Sequence, residues 1–149
     1  MSVGVGDVAP DFELPGTGGN HRLSEHLGHA VVLVFYPGDN TPVCTKQLNE
    51  YNDDLAEFEG LDAKVLAISP QSVESHEGFS AKHGFAFPLL ADTDKTVFQL
   101  YGVLGPLGFP RRSVFVIDAE GVIRYAHRAI AGLTYRHTDE LVEALRSVR

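Results

Sequence analysis

The sequence predicts a three-layer α/β fold with a mixed central sheet, on three observations. The apolar runs Ala30–Phe35, Ala63–Ser69 and Ser113–Ile117 lack polar alternation, as is typical of strands buried on both faces. Segments with helical periodicity alternate with these strands, and a hairpin followed by a last helix closes the chain. The length of 149 residues fits one domain, and we expect residues 1–149 to form it.

Two hairpins are expected beside the buried strands. At the N-terminal end, Gly16–Asn20 has the composition of a turn between short strands around Phe12–Leu14 and His21–Leu23. Near the other end, Val122–Arg128 alternates apolar and polar residues more regularly than the buried runs. We expect it to be half exposed and paired with the preceding strand through a turn at Asp118–Gly121.

The clearest predicted helix begins around the single cysteine. Five residues follow one another by four or three positions and so share one helical face: Cys44, Leu48, Tyr51, Leu55 and Phe58. Gly60 stands where it can end this helix.

Three further helices are expected. They cover about Ser72–His83, with His76 on a buried face, about Thr96–Tyr101, and a last segment that starts at a Thr138 cap. Acidic residues begin this last helix and basic residues end it, which suits the helix dipole.

Composition excludes several functions. Cys44 is the only cysteine, so an intrachain disulfide and a multi-cysteine metal site are excluded. A net charge of −8 without any basic run argues against binding to nucleic acid or anionic membranes. No apolar stretch approaches the about 20 residues that span a bilayer, and the N-terminus does not resemble a signal peptide. We therefore expect a cytoplasmic protein.

The segment from Tyr36 to Thr45 carries the candidate chemistry. It joins the carboxyl end of a predicted central strand to a helix, where active sites of open α/β sheets are found. Thr41 can cap the helix and Pro42 suits its first position. Cys44 then lies in the first turn, where free backbone N–H groups and the positive end of the dipole favour a thiolate.

These residues resemble a known family. Pro37, Thr41 and Cys44 match the P-x-x-x-T-x-x-C motif of the peroxiredoxins, and FYPGDNTPVCTKQL closely resembles their bacterioferritin-comigratory, or Q-type, branch. Nearly the whole chain shares the likeness, through GDVAPDFELPG, FPLLADTDKTVFQLYGV and RRSVFVIDAEGVIR. The resemblance implies a thioredoxin-like fold, thiol-dependent reduction of hydrogen peroxide and organic hydroperoxides, and no cofactor.

The resemblance also implies residue roles. Cys44 resembles the peroxidatic cysteine, whose thiolate attacks a peroxide oxygen and becomes a sulfenic acid. Thr41 resembles the hydroxyl that hydrogen-bonds thiolate and peroxide, and Pro37 the residue that shields the pocket from water. Arg112 resembles the arginine that stabilises thiolate and departing oxygen. Gln47 occupies a place where relatives often carry a glutamate that orients this arginine.

One departure from the family pattern concerns the resolving cysteine. Many Q-type members carry it five residues after the peroxidatic one, and this chain has Asn49 there. The resemblance then implies a one-cysteine cycle in which an external thiol attacks the sulfenic acid. The candidate reductants are thioredoxin, a glutaredoxin-like protein and a low-molecular-weight thiol.

Other interpretations remain open. A lone cysteine on an apolar helix face is most often packing material, and only its combination with Pro37, Thr41 and Arg112 argues otherwise. A dithiol cycle is excluded because Thr41 occupies the first cysteine position of C-x-x-C. Metal binding by histidines, a Cys–His hydrolase and nucleotide binding have little support. The main alternative is a non-catalytic peroxide sensor or a chaperone-like binding protein on the same fold.

The state of assembly is left open between monomer and homodimer. Several large apolar residues could form a patch near the pocket, a dimer contact or part of the core: Phe85, Phe87, Leu104, Leu107 and Phe109.

Overall fold

The computed structural model describes residues 3–129 and 134–148, and these contain a seven-stranded mixed sheet. The strands are β1 (Glu13–Gly16), β2 (Gly19–Arg22), β3 (Ala30–Phe35), β4 (Ala63–Ser69), β5 (Leu89–Ala91), β6 (Ser113–Ile117) and β7 (Ile123–Arg128). The helices are α1 (Pro42–Asp53), α2 (Leu55–Glu59), α3 (Val73–His83), α4 (Thr96–Leu100) and α5 (Thr138–Ser147).

The sheet has the order β2-β1-β5-β4-β3-β6-β7. Its three central strands β3, β4 and β5 are parallel, while β6 pairs antiparallel with β3. The register pairs Phe35 with Ser113, so the start of β6 lies beside the carboxyl end of β3. This pairing brings the residue before β6 to the edge of the sheet where the β3–α1 connection begins.

Two apolar cores cover the two faces of the sheet. Val32 and Val34 of β3 point into the core that holds the buried residues of α1, α2, α3 and α5. Leu33 and Phe35 point into the other core, with α4 and the N-terminal segment around Phe12. The period-two alternation of a strand divides β3 between these cores, and the predicted mixed α/β architecture in three layers is confirmed.

The N-terminal hairpin is confirmed with shifted bounds. Its strands β1 and β2 extend closer to the turn than expected, leaving two residues between them. Gly16 pairs with Leu90 of β5, and a Cβ at this glycine would lie 2.4 Å from the Leu89 carbonyl oxygen. The hairpin can join the sheet edge there because glycine allows this close approach.

The long predicted helix is in fact two helices, α1 and α2. The chain bends at Asp54, whose φ of −99° and ψ of 14° are not helical. The residues around the bend, Asn52, Asp53 and Asp54, have side chains that compete for backbone hydrogen bonds and disfavour helix interiors. The expected face survives the bend, since Cys44, Leu48, Tyr51 and Phe58 are all buried and Leu55 is partly buried.

Of the predictions for the C-terminal part of the chain, the one for β7 is confirmed and the one for the start of α5 is not. Strand β7 is mostly half exposed and pairs with β6, as predicted. Helix α5 begins one residue earlier than expected, because His137 is the N-cap residue and Thr138 is the first helical residue. No helix in the described ranges has the length and apolar character needed to cross a membrane.

Candidate functional site

The candidate site lies where β3 passes into α1. Pro37 is half buried just beyond β3, and the following loop leads to Thr41, the N-cap residue of α1. Pro42 is the first helical residue, as the sequence predicts, because proline has no N–H to leave unpaired there. Cys44 is therefore in the first helical turn, and its side chain is fully buried.

Thr41 has an extended backbone, but its side chain makes no capping hydrogen bond. Its hydroxyl instead donates to the Gly38 carbonyl oxygen at 3.0 Å. The predicted side-chain cap is therefore wrong: the hydroxyl closes the turn of the preceding loop, which passes through Asn40 at a φ of 62°. What Thr41 contributes to α1 is its backbone carbonyl, which accepts the Thr45 N–H.

Arg112 reaches Cys44 from the neighbouring strand. It directly precedes β6, whose start is paired with the end of β3. Its Nη2 donates to Cys44 Sγ at 3.1 Å and its Nη1 donates to Gln47 Oε1 at 2.6 Å. The adjacent Arg111 donates instead to the carbonyls of Arg128 and Ala129. The arginine that the sequence singled out is thus the one beside the thiol.

Gln47 connects Arg112 to a second buried polar group. The Gln47 Nε2 donates to the Tyr51 hydroxyl at 3.2 Å, and that hydroxyl donates to the Arg136 carbonyl oxygen. Burial raises the pKa of Tyr51 above its usual value, so the phenol keeps its proton. A chain of hydrogen bonds therefore runs from the segment before α5 to Cys44.

A buried ionisable cluster anchors the loop on the other side. The Asp39 carboxylate accepts from the Tyr36 hydroxyl at 2.6 Å and from the Ser75 hydroxyl at 2.7 Å. His76 Nδ1 lies 2.8 Å from Asp39 Oδ2, and His76 Nε2 lies 2.9 Å from the Leu90 carbonyl oxygen. The two ring nitrogens of His76 therefore link Asp39 in the loop to the backbone of β5. The expected burial of His76 is confirmed.

The Asp39 carboxylate is stabilised in its ionised form. Burial alone would raise the pKa of Asp39, but the hydrogen bonds from His76, Tyr36 and Ser75 outweigh it and lower the pKa below its usual value. The loop between β3 and α1 is therefore tied to α3 by the ionised Asp39 carboxylate and its contacts with Ser75 and His76, and through His76 to β5.

The next turn of α1 holds Asn49, at the position where the resemblance to Q-type members led us to look for a resolving cysteine. Asn49 is partly buried, and its Nδ2 donates to His83 Nδ1 of α3 at 3.4 Å. Beside it, Glu50 accepts the Thr138 N–H at 2.9 Å and the Tyr135 hydroxyl at 2.7 Å. The predicted Thr138 cap of α5 is thus wrong, because a carboxylate from α1 pairs with the free N–H at this helix end.

The large apolar residues divide between core and surface. Phe85 and Phe87 are buried in the core that contains Cys44. Leu107 and Phe109 are 95% and 68% exposed, and Leu104 is partly buried. The five residues therefore do not form one surface patch.

Sequence reasoning missed the polar roles of Tyr51 and Asp39. It assigned Tyr51 to the apolar helix face, and Asp39 was one residue of a loop. A signal was present for Tyr51, because a phenol on a core-facing position must bring its hydroxyl to a partner.

Across residues 3–129 and 134–148, no three His, Cys, Asp or Glu side chains are grouped as metal ligands would be.

Comparison with known proteins places the chain in a family. The model of the AhpC/TSA family matches residues 5–126, most of the chain. The chain belongs to this family. Peroxiredoxin Bcp of Xanthomonas campestris is 38% identical, with 93% of this chain and 92% of that protein covered. Peroxiredoxin Bcp of Bacillus subtilis is 34% identical, with 100% and 97% covered.

Solved structures extend the likeness to three dimensions. Peroxidoxin BcpB from Mycobacterium tuberculosis superimposes with a TM-score of 0.87 at 36% identity, with 97% of each chain covered. The fold is accordingly the thioredoxin-like fold of the peroxiredoxins, and this AhpC/TSA family member is a thiol peroxidase. The fold and the thiol peroxidase activity that the resemblance implied are thereby confirmed.

Proposed function

We propose that the chain reduces hydrogen peroxide and organic hydroperoxides through a sulfenic acid on Cys44, in a one-cysteine cycle completed by an external thiol. The contact between Arg112 Nη2 and Cys44 Sγ at 3.1 Å carries this proposal. A guanidinium beside a buried sulfur stabilises a thiolate, and the thiolate is the nucleophilic form of cysteine. The position of Cys44 in the first turn of α1 adds to that stabilisation.

In the first half of the cycle, the Cys44 thiolate attacks one oxygen of the peroxide. An S–O bond forms, the O–O bond breaks, and sulfur loses two electrons to the peroxide. The departing oxygen leaves as hydroxide or alkoxide and takes up a proton to become water or an alcohol. Arg112 stabilises the charge on this oxygen, since a fixed cation at a buried site is a strong source of transition-state stabilisation.

Three neighbouring residues have supporting roles in this proposal. The Thr41 hydroxyl donates to thiolate and peroxide once its proton leaves the Gly38 carbonyl oxygen. Pro37 shields the pocket from water, and Gln47 orients Arg112. The 2.6 Å hydrogen bond from Arg112 Nη1 supports the role of Gln47. The half-buried position of Pro37 just beyond β3 supports its role as a shield.

In the second half of the cycle, an external thiol attacks the sulfenic sulfur. A mixed disulfide forms and water leaves, and a second thiol then releases Cys44 as a thiol together with a disulfide of the reductant. Asn49 at the resolving position and the single cysteine of the chain support this cycle. Thioredoxin, a glutaredoxin-like protein and a low-molecular-weight thiol are the proposed reductants, and the cytoplasm is the proposed site of action.

The test is peroxide consumption by wild-type protein and by Cys44→Ser, with each reductant in turn. We expect sustained turnover of the wild type with at least one reductant, and none with the variant. Without a reductant, mass spectrometry of the wild type should show one added oxygen. With a small thiol, it should show a thiol adduct.

Three outcomes would contradict parts of the proposal. Turnover by Cys44→Ser would remove Cys44 from the reaction. Stoichiometric oxidation of the wild type without recovery by any thiol would favour a peroxide sensor or a chaperone-like protein. An intermolecular Cys44–Cys44 disulfide as the dominant product would show that a second copy resolves the sulfenic acid.

A further inference from the structure

We propose that Tyr51 is a positioning residue that sets which end of the Gln47 amide faces Arg112. This inference rests on the proposed roles of Cys44 and Arg112. It goes beyond them because it assigns a task to a residue of the apolar helix face, seven positions after Cys44.

A glutamine can face a cation in two ways. Its carbonyl end accepts hydrogen bonds, whereas its NH₂ end only donates them. The two ends have nearly the same shape, so packing alone does not distinguish them. Arg112 is only a donor, and it must therefore meet Oε1 of Gln47, as it does at 2.6 Å. Arg112 favours this orientation at one end of the amide, and a group at the other end can reinforce it.

The Tyr51 hydroxyl supplies that selection. It donates its single proton to the Arg136 carbonyl oxygen, which is only an acceptor. The oxygen of Tyr51 then presents lone pairs to Gln47, so a donor is favoured at this end of the amide. Gln47 Nε2 meets the requirement at 3.2 Å. Each group in this series of hydrogen bonds determines the direction of the next one. The series ends at Arg112, which lies beside Cys44.

Glu50 holds the start of this series of hydrogen bonds, at Arg136. Its carboxylate accepts the Tyr135 hydroxyl and the Thr138 N–H, and Oε1 lies 2.9 Å from His137 Nδ1. These residues stand on either side of Arg136. The Arg136 carbonyl is therefore fixed relative to α1, and Tyr51 has a stable acceptor for its proton.

The Tyr51 hydroxyl disfavours the reversed orientation of the Gln47 amide, and this effect is lost when the hydroxyl is removed. A reversed Gln47 would place NH₂ against the Arg112 guanidinium, and these two donors would separate. Arg112 would lose an anchor and with it part of its alignment on Cys44. A glutamate at position 47 has acceptors at both ends, so its contact with Arg112 should not depend on Tyr51.

The experiment compares Tyr51→Phe in two backgrounds, the wild type and Gln47→Glu, by kcat/KM for peroxide with a saturating thiol reductant. In the wild-type background we expect Tyr51→Phe to lower kcat/KM about tenfold, the effect of one misaligned hydrogen bond to a charged group. In the Gln47→Glu background we expect a loss of less than about twofold. Tyr101→Phe is the matched control, since Tyr101 is buried and donates to the Pro10 carbonyl on the other face of the sheet, and its kcat/KM should equal that of the wild type.

Equal losses in both backgrounds would mean that Tyr51 has a structural role only, and no loss in either would mean that it has none. Both results overturn the proposal. If Tyr51→Phe does not fold, NMR of the wild-type protein tests the orientation of the Gln47 amide. The Gln47 NH₂ protons should show nuclear Overhauser contacts to Tyr51, and contacts to the Arg112 guanidinium protons would overturn the assignment. Absence of turnover by the wild type would contradict the proposed function, whereas these NMR contacts test the amide orientation separately.

Discussion

The guanidinium of Arg112 makes two contacts that a lysine could not make together. Its Nη1 and Nη2 reach Gln47 and Cys44 respectively, and the side chain is buried. The planar fork fixes both distances at once, whereas an ammonium on a flexible stem is a single point charge. Charge alone is therefore insufficient at this position, and the shape of the cation matters.

Arg112→Lys should lower kcat/KM for peroxide by about 100-fold, within the range for removing one donor from a transition-state site. The matched control is Arg124→Lys, because Arg124 pairs with Asp118 at the surface with 45% of its side chain exposed. The control should keep the wild-type rate in the same peroxide assay. A lysine variant as active as the wild type would show that position 112 needs only a positive charge.

Among the elements, the β3–α1 loop depends on the helix beside it. Asp39 joins this loop to α3 through Ser75 and His76, and both members of the Asp39–His76 pair have fully buried side chains. A buried pair does not by itself stabilise a fold, but removing one partner leaves the other charge without compensation. The loop that leads to Cys44 is therefore sensitive to changes in α3.

Asp39→Asn should lower the free energy of unfolding by about 3–5 kcal/mol, measured with urea at neutral pH. Asp62→Asn is the matched control, since Asp62 pairs with His29 at 2.7 Å with both side chains exposed. Exposed pairs contribute little, so we expect a loss of at most about 1 kcal/mol there. Similar losses in the two variants would contradict the importance of burial.

The same pair predicts a dependence on pH. The pKa of Asp39 is lower in the folded protein than its usual value of 3.8. Its stabilising contribution is therefore complete above that value and is lost as pH falls through the lower, folded pKa. The stability difference between wild type and Asp39→Asn should narrow as pH falls below about 4. A difference that stays constant into strong acid would contradict this linkage.

Across the whole molecule, stability depends on two cores that share the strands of one sheet. Leu33 is fully buried in the core on the α4 side, while Val32 and Val34 face the core that contains Cys44. A cavity under β3 therefore destabilises the sheet that positions Cys44 and Arg112. An exposed leucine lies outside both cores, so its truncation should not destabilise the sheet.

Leu33→Ala should lower the free energy of unfolding by about 2–5 kcal/mol, from lost burial and the cavity that remains. Leu107→Ala is the matched control, because Leu107 is 95% exposed, and we expect a change within about 0.5 kcal/mol. Urea unfolding measures both. A large loss in Leu107→Ala would indicate that this side chain is covered in solution, for example by a second copy of the chain.

Local patterns in the sequence predicted most strands and helices in their order and the position of Cys44 in the first turn of α1, but they did not predict β5 and they joined α1 and α2 into one helix. The resemblance to the peroxiredoxins singled out Arg112 and Gln47. The elements and the place of Cys44 depend on local periodicity and on the proline at the first helical position. Two expected side-chain caps do not form, because the fold supplies other partners: the Thr41 hydroxyl donates to the Gly38 carbonyl oxygen, and Glu50 of α1 reaches the start of α5. Only the tertiary structure decided the direction of hydrogen bonds from Arg136 through Tyr51 to Gln47, and the pairing of Asp39 with His76. Their partners are distant in the chain, and such contacts follow from strand register and helix packing rather than from local composition.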